Sequence, residues 1–221
     1  MFNKISRRYD FLNHFLSLGI DVLWRKKAIK MLAPHQPSHI LDIATGTGDF
    51  ALEALKLNPE KIIGIDISKG MLEIGRQKIA AKGLENRIDL RYGDSEMLEF
   101  PDNKFDSVIV SFGVRNFEDL SKGLKEMYRV LKPSGTVLVL EFSKPQTFPL
   151  KQLYGWYFNH ILPGIGRMIS KDKSAYRYLP ESVKEFPSGA DFLNELELAG
   201  FKRCLCKTLT FGISSIYLAR K

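Results

Sequence analysis

Short apolar runs alternate with longer segments of helical spacing between residues 39 and 141. Five of these runs are rich in β-branched residues, which favours buried strands. Because helical segments separate them, the pattern indicates strand–helix–strand units and a parallel sheet with helices on both faces. The predicted strands are His39–Ala44, Lys61–Asp66, Ile88–Tyr92, Phe105–Ser111 and Thr136–Glu141.

Helical spacing predicts the elements between and around these strands. Ser68 precedes one helical segment and is expected to cap its first turn. The run Lys132–Gly135 contains proline and glycine and is expected to end the helix before it. The predicted helices cover residues 3–32 with a break at 17–19, residues 50–57, the segment after Ser68, residues 120–131 and residues 174–199.

The pattern changes after residue 145, where an aromatic-rich segment spans residues 148–170. Two alternating strands, Phe201–Thr208 and Phe211–Ala219, then follow with very few residues between them. Such spacing is typical of a hairpin, so at least one late strand is antiparallel. The predicted fold class is therefore α/β, a mostly parallel sheet with a C-terminal antiparallel hairpin.

Composition and charge narrow the class of protein. The 221 residues include 33 Lys and Arg against 25 Asp and Glu, a formal net charge of +8, and only two cysteines. The cysteine count excludes a disulfide-rich secreted protein, and no apolar run reaches the length of a membrane span. Charged residues interrupt positions 1–18, which therefore lack the apolar core of a signal peptide and predict a cytoplasmic location. The net charge fits solubility alone, nucleic acid, an anionic membrane surface or an acidic ligand, but no run of like charges marks a nucleic-acid arm.

A glycine-containing loop joins the first predicted strand to its helix. Gly46 and Gly48 permit positive φ angles and let a ligand approach the backbone closely. The pattern Gly46-x-Gly48-x-x-Ala51 also fits the site at which a dinucleotide pyrophosphate binds a helix N-terminus. The loop alone therefore leaves a nicotinamide-dependent oxidoreductase open.

Carboxylates at successive strand ends favour a cationic ligand instead. Asp42 and Asp49 flank the glycine loop, where they would repel a pyrophosphate and suit an ammonium group. Asp66 ends the second strand, where a carboxylate can accept both hydroxyls of a ribose. Asp94 follows the third strand in a position suited to an adenine amino group. A cationic nucleoside that bears an amino acid is S-adenosylmethionine.

With these features the chain resembles the class I S-adenosylmethionine-dependent methyltransferases, whose fold is a Rossmann-like seven-stranded sheet. Within that class it resembles the ubiquinone/menaquinone-biosynthesis C-methyltransferase family over nearly its whole length. This resemblance implies N-terminal helices and a helical insertion before the last two strands. It is carried by Phe2–Asn13 with Leu16–Gly19 and Trp24–Arg25, by Arg129–Gly135 with Leu140–Pro145, and by Ser111–Asn116 and Tyr176–Leu179.

The resemblance implies S-adenosylmethionine as cofactor, no metal, and C-methylation of a polyprenylated hydroquinone. The resemblance covers enzymes of both menaquinone and ubiquinone synthesis, so the sequence leaves the choice of precursor open. Methylation of another small phenol or lipid also stays open. Taken with the strand-end carboxylates, the resemblance predicts that the cofactor contacts are Asp42, Gly46, Thr47, Gly48, Asp66, Asp94, Ser95 and Ser111.

The reaction requires a nucleophilic ring carbon, which a phenol provides once its hydroxyl has lost a proton. Because a phenol titrates near pH 10, an enzyme at neutral pH must favour the phenolate by roughly 3 units, or about 4 kcal/mol. Arg115 follows the fourth predicted strand and is the candidate electrostatic stabiliser, with Asn116 as the orienting group and Tyr9 as a candidate proton relay. The alternative for Arg115 is a surface ion pair with Glu118 or Asp119.

The chain is expected to form one methyltransferase domain, with a helical cap (1–35), a cofactor-binding core (36–145), a helical substrate or lid region (146–199) and a C-terminal hairpin (200–221). Apolar positions at helical spacing in residues 148–170 could pack in the hydrophobic core or bind an apolar substrate. The expected partners are a polyprenyl quinol and, with the net charge of +8, the inner face of the cell membrane as a peripheral contact. Nucleic acid is not expected as a partner, and a homodimer is left open. Cys204 and Cys206 are expected to be structural thiols rather than metal ligands.

Overall fold

The structure is a computed structural model that describes residues 19–145, 148–149, 152 and 181–221. Over most of this part of the chain, strands alternate with helices as the hydrophobic pattern predicts. In chain order the elements are α1 (Asp21–Leu32), β1 (His39–Ile43), α2 (Asp49–Ala54), β2 (Lys61–Asp66), α3 (Lys69–Ala80), β3 (Ile88–Tyr92), β4 (Phe105–Ser111), α4 (Leu120–Val130), β5 (Leu131–Phe142), α5 (Ala190–Leu198), β6 (Lys202–Leu209) and β7 (Ser214–Arg220).

The seven strands form one sheet in the order β3-β2-β1-β4-β5-β7-β6. Strands β1 to β5 are mutually parallel, whereas β7 runs antiparallel to both β5 and β6. The predicted fold class is therefore confirmed, including the antiparallel hairpin. The chain proceeds from β1 to one side of the sheet and later places β4 on the other side of β1. In such sheets, ligands bind at the carboxyl ends of the strands where the strand order reverses.

Alternating side chains of the strands build one core on each face of the sheet. On β1, Ile40 packs in a cluster with Trp24 of α1 and Leu72 of α3, whereas Leu41 packs in a second cluster with Leu124 of α4. All five are buried. Since burying a large apolar side chain contributes about 1.5–3 kcal/mol, these clusters hold both helical layers on the sheet. The strand ends above them are thereby fixed.

Several element boundaries differ from the prediction, among them the starts of β5 and β7. Strand β5 begins at Leu131, directly after α4, because Pro133–Gly135 form an irregularity within the strand rather than a separate turn. Ser134 has a φ angle of 66°, and the pairing with β4 shifts register at this point. In the hairpin, Phe211 lies in a tight turn with a φ angle of 58°, so the last strand begins at Ser214 rather than at Phe211.

Several predictions fall outside the described residues. They are the helix before residue 19, the apolar positions between 150 and 161, and residues 174–180 of the last predicted helix. The division of the chain into cap, core, lid region and hairpin stays a prediction. Among the helices that the structure describes, none combines the length and the hydrophobicity needed to cross a bilayer.

Candidate active site

A cavity of about 740 Å³ opens at the carboxyl ends of the parallel strands, where the loops after β1, β2, β3 and β4 converge. Its size lies within the range of about 300–1,000 Å³ typical of small-ligand sites. Most of the residues that the sequence predicts for the cofactor and catalytic site lie on the wall of this cavity, although they are far apart in the sequence. These residues are Asp42, Gly46, Thr47, Asp66, Asp94, Ser95, Ser111 and Asn116.

The glycine loop turns sharply between β1 and α2. Gly46 and Gly48 have φ angles of 57° and 81°, in the left-handed region that favours glycine. The Gly48 N–H donates to the Thr45 carbonyl at 2.9 Å, and the Thr45 N–H donates to the Ile65 carbonyl at 3.0 Å, so the loop is tied to β2. Gly46 lines the cavity, whereas Gly48 stands at the start of α2 and is not among the described lining residues.

Helix α3 packs directly beneath this loop at Gly75. A Cβ atom at Gly75 would lie 2.5 Å from Leu90 Cδ1 and 3.1 Å from the Thr47 carbonyl. The second distance is tighter than most real Cβ contacts and involves backbone atoms, so the close approach of helix and loop favours glycine here. Nothing in the local sequence around Gly75 marks this tertiary contact, so its role could not be predicted.

Asp42 is a deeply buried carboxylate on the cavity wall, with 1% of its surface exposed. The Thr45 hydroxyl donates to Asp42 Oδ2 at 2.5 Å, and Oδ1 is buried with no hydrogen-bond partner among the described residues. Burial raises the pKa of Asp42 to about 7, and the hydrogen bond from Thr45 opposes part of that rise. An acceptor atom that lacks a donor in a cavity is suited to a ligand that brings one, above all a cation.

Replacing Asp42 by asparagine is expected to raise the free energy of unfolding of the ligand-free protein by a few kcal/mol at pH 8. The folded chain retains the Asp42 proton up to a pKa of about 7, whereas an unfolded aspartate ionises near pH 4. The wild-type protein therefore loses stability as the pH rises from 4 to 7, and the neutral amide does not. Urea denaturation at pH 5 and pH 8 measures the difference, which should be larger at pH 8. Equal stabilities at pH 8 would show that the carboxylate is not penalised by burial.

Asp66 organises the loop as well as lining the cavity. Its carboxylate accepts the Gly46 N–H at 2.9 Å and the Ser68 N–H at 2.7 Å. Ser68 in turn caps α3, since its hydroxyl accepts the Met71 N–H at 3.4 Å. One side chain thus fixes the glycine loop, the start of a helix and an acidic patch of the cavity wall. The predicted helix cap is confirmed.

The other predicted cofactor residues complete the wall. Asp94 accepts the Glu96 N–H at 2.9 Å, which shapes the turn after β3. Ser111 ends β4, and its hydroxyl oxygen is buried with no hydrogen-bond partner among the described residues. The Thr47 hydroxyl accepts from Lys78 Nζ at 2.7 Å, and the same ammonium pairs with Asp49 at 2.9 Å. Lys78 therefore offsets the charge of Asp49 beside the loop.

The structure places Arg115 differently from the sequence-based prediction. Its guanidinium pairs with Glu141 at 2.7 Å, and neither side chain is exposed. The same Nη1 donates to the Phe112 carbonyl at 2.6 Å, and the guanidinium lies 5.3 Å from the centre of the Phe142 ring. Arg115 is not among the described residues that line the cavity, and the carboxylate it pairs with is neither of the two that the sequence offered.

Arg115 instead holds the loop that follows β4. Phe112 has a φ angle of 57°, a conformation that costs a residue other than glycine about 1–3 kcal/mol. The hydrogen bond from Arg115 to its carbonyl fixes that conformation, and Phe112, Gly113 and Asn116 of the same loop line the cavity. The alternative of a surface ion pair with Glu118 or Asp119 is thus wrong, whereas the predicted contact of Arg115 with substrate stays a prediction. Tyr9, the third predicted catalytic residue, lies outside the described residues.

Sequence reasoning assigned no role to three residues at or beside the site, namely Asp21, Arg25 and Glu141. Asp21 and Arg25 lie one helical turn apart on α1, and both line the cavity. Their i,i+4 spacing is typical of helical ion pairs and could have drawn attention to them. No local signal pairs Glu141 with Arg115, because 26 positions and two secondary-structure elements separate them.

Comparison with known proteins identifies close relatives of this chain. The ubiE/COQ5 methyltransferase family model matches residues 1–221. A demethylmenaquinone methyltransferase of Bacteroides fragilis is 50% identical over 222 residues, which cover 100% of this chain and 91% of the relative. A ubiquinone/menaquinone biosynthesis C-methyltransferase UbiE of Geotalea daltonii is 48% identical over 223 residues, with 100% and 94% covered.

Solved structures with lower identity share the fold. A SAM-dependent methyltransferase of Thermotoga maritima aligns over 100% of both chains with a TM-score of 0.67 and 22% identity. The [4+2]-cyclase SpnF also has a TM-score of 0.67, at 19% identity, over 89% of this chain and 80% of its own. Since one fold here carries a methyltransferase and a cyclase, the likeness to these structures establishes the architecture rather than the reaction.

Proposed function

This chain belongs to the ubiE/COQ5 methyltransferase family, and we propose that it methylates a ring carbon of demethylmenaquinol to give menaquinol. It is a C-methyltransferase of quinone biosynthesis that depends on S-adenosylmethionine. Two relatives that are 50% and 42% identical over the full chain carry the name demethylmenaquinone methyltransferase, which supports the menaquinone precursor as substrate. The equivalent ubiquinone precursor is the second candidate, because other relatives are named for both pathways.

The single observation that carries the cofactor assignment is the buried, unpartnered Oδ1 of Asp42 in an acidic cavity. An ammonium group would supply the missing donor there. Asp66 at the end of β2 suits the ribose hydroxyls, and Asp94 with Ser95 suits the adenine. S-Adenosylmethionine supplies an activated methyl group on a sulfonium. The residues present fit that molecule in charge and in hydrogen-bonding capacity.

The same carboxylates argue against the nicotinamide-dependent oxidoreductase that the glycine loop left open. A dinucleotide would bring its pyrophosphate to the start of α2, beside the cavity-lining carboxylates Asp42 and Asp49. Calorimetric titration with S-adenosylhomocysteine and with NADH separates the two ligand classes. We expect S-adenosylhomocysteine to bind and NADH not to bind. The opposite pattern would exclude the methyltransferase assignment.

We propose that Asn116 orients the hydroquinone. Asn116 lies in the loop after β4 and lines the cavity. Its side-chain amide can donate to the hydroquinone oxygen and favour the phenolate, which makes the adjacent ring carbon nucleophilic. Arg115 acts on this step as a positioning residue, because its ion pair with Glu141 and its bond to Phe112 fix the loop that carries Asn116. A proton relay through Tyr9 stays a prediction.

Replacing Asn116 by alanine is expected to lower kcat by about a hundredfold to a thousandfold, the effect of removing one donor to a developing oxyanion. The affinity for S-adenosylhomocysteine should change less than twofold, because the amide acts on the quinol. Steady-state kinetics with a demethylated quinol and calorimetry with S-adenosylhomocysteine measure the two quantities. An Asn116→Ala variant with wild-type kcat would remove this residue from the mechanism.

Contact with an anionic membrane surface stays a proposal. It is supported by the net charge of +8 and by the polyprenyl tail expected of the substrate. The apolar segment nominated for the tail lies outside the described residues. A cytoplasmic location and a homodimer stay predictions.

A further inference from the structure

The wall of the cavity carries a strong excess of negative charge. Its described lining residues include seven carboxylates and one basic side chain, Arg25. Such a wall suits the ammonium and sulfonium of S-adenosylmethionine. It is unsuited to the carboxylate at the end of the same molecule, which needs a cation or several hydrogen-bond donors once it leaves water. Within the described wall, Arg25 is the cation that can meet this requirement.

Arg25 is held in place by its own helix. Its Nη2 pairs with Oδ2 of Asp21 at 2.6 Å, one turn earlier on α1, and Asp21 is buried. About 15% of the Arg25 side chain remains exposed. The adjacent Trp24 is buried, and its indole N–H donates to the Thr210 hydroxyl at 2.7 Å, which anchors this turn of the helix to the hairpin. The guanidinium is therefore presented to the cavity from a fixed backbone.

Arg25 also lies near the group assigned to the ammonium. Both Arg25 and Asp42 line the cavity, and the guanidinium charge acts to lower the pKa of Asp42 against the larger effect of burial. An α-amino acid carries its ammonium and its carboxylate on one carbon atom. A carboxylate acceptor and a guanidinium donor on one wall match that pair of groups. A planar guanidinium also binds a carboxylate through two parallel hydrogen bonds.

We propose that Arg25 binds the carboxylate of the methionyl part of the methyl donor, with Asp21 as the positioning residue that orients the guanidinium. The proposal rests on the proposed function, because it concerns the same ligand. It assigns a charged contact to a helix that precedes the glycine loop. It also gives the Asp21–Arg25 pair a purpose beyond the modest stabilisation expected of a helical ion pair.

The test compares two ligands that differ in the carboxylate alone. S-Adenosylhomocysteine carries it, and decarboxylated S-adenosylhomocysteine keeps the nucleoside, thioether and amine without it. An Arg25→Met variant should bind S-adenosylhomocysteine about tenfold to a hundredfold more weakly than the wild type, the range expected for loss of a charged hydrogen-bonded pair. It should bind the decarboxylated ligand within twofold of the wild type or more tightly. Isothermal titration calorimetry measures all four affinities.

Lys26 is the matched control, because it lies on the same helix, is exposed, and is not among the described lining residues. A Lys26→Met variant removes the same charge and should bind both ligands as the wild type does. Since Arg25→Met leaves the buried Asp21 carboxylate without its guanidinium, the double variant Asp21→Asn/Arg25→Met is prepared as well. It should regain thermal stability while the affinity for S-adenosylhomocysteine stays low.

Each outcome decides the proposal. If Arg25→Met lowers the affinity for both ligands equally, the effect does not depend on the carboxylate and the proposal is overturned. If Lys26→Met lowers the affinity for S-adenosylhomocysteine as much as Arg25→Met does, the effect is one of general charge and the proposal is likewise overturned. Unchanged affinities in the double variant would overturn it as well. If instead the proposed function is wrong, the wild-type protein itself will bind neither S-adenosylhomocysteine nor its decarboxylated form, which distinguishes this result from failure of the Arg25 proposal.

Discussion

Replacing Arg115 by methionine is expected to lower the free energy of unfolding by about 3–5 kcal/mol, the cost of leaving one member of a buried ion pair without its partner. Glu141 and Arg115 both have fully buried side chains, and the ion pair between them is 2.7 Å long. The Glu141 carboxylate also accepts the backbone N–H of Phe142 at 2.8 Å, so it is held in place after its partner is removed. Chemical denaturation of wild type and variant measures the loss. A loss below about 1 kcal/mol would contradict the buried pair.

A second variant separates a positioning role of Arg115 from direct contact with substrate. In Arg115→Met/Glu141→Gln no charge is left buried, and glutamine still offers an oxygen to the Phe142 N–H. Because replacing both members of a buried pair is often nearly neutral, most of the stability should return. If Arg115 acts through the loop, a large part of the methyl-transfer rate returns with it. If stability returns and the rate does not, Arg115 contacts the substrate and the proposed positioning role is wrong.

Replacing Asp66 by alanine is expected to weaken S-adenosylhomocysteine binding by more than about a hundredfold. The change removes the acceptor proposed for two ribose hydroxyls, and each hydrogen bond to a charged group contributes about 1.5–3 kcal/mol. It also frees the Gly46 and Ser68 N–H groups that Asp66 holds at 2.9 Å and 2.7 Å, so the glycine loop keeps only the Thr45–Ile65 backbone bond of the ties to β2 described above. Calorimetry measures the affinity.

Asp89 provides the control for that variant. It lies on the adjacent strand β3, pairs with Arg91 at 2.6 Å, and is not among the described residues that line the cavity. Asp89→Ala should bind S-adenosylhomocysteine within twofold of the wild type. An Asp66→Ala variant that binds as tightly as Asp89→Ala would show that the ligand does not reach the end of β2.

The parts of the fold that depend on local pattern could be predicted from the sequence. The bounds of β2, β3 and β4 agree with the apolar runs that nominate them. The carboxylates at strand ends converge on one cavity because parallel strands end at the same edge of a sheet. The place of Asp42, Asp66 and Asp94 on the cavity wall could therefore be predicted from their positions at the ends of strands.

What could not be predicted depends on contacts between distant segments. The alternative of a surface ion pair for Arg115 came from Glu118 and Asp119, which follow it closely in the chain, whereas its true partner, Glu141, comes from the next parallel strand and the pair is buried. Strand β5 continues through a proline because the bulge at Ser134 absorbs the irregularity, which no periodicity reveals. Arg25 belongs to a run of three basic residues, a pattern typical of a solvent-exposed helix face. It differs from Lys26 and Lys27 in lining the cavity, and this difference depends on how α1 packs.

The most direct measurement follows a labelled methyl group from donor to product. The protein is incubated with demethylmenaquinol, kept reduced, and S-adenosylmethionine that carries a trideuteromethyl group, and the quinone is analysed by mass spectrometry and NMR. We expect one trideuteromethyl group in place of a ring hydrogen, with S-adenosylhomocysteine formed in equal amount. A product labelled on oxygen, or an unlabelled quinone from protein that binds S-adenosylhomocysteine, would contradict the assignment of this chain as the enzyme that methylates the quinol ring carbon.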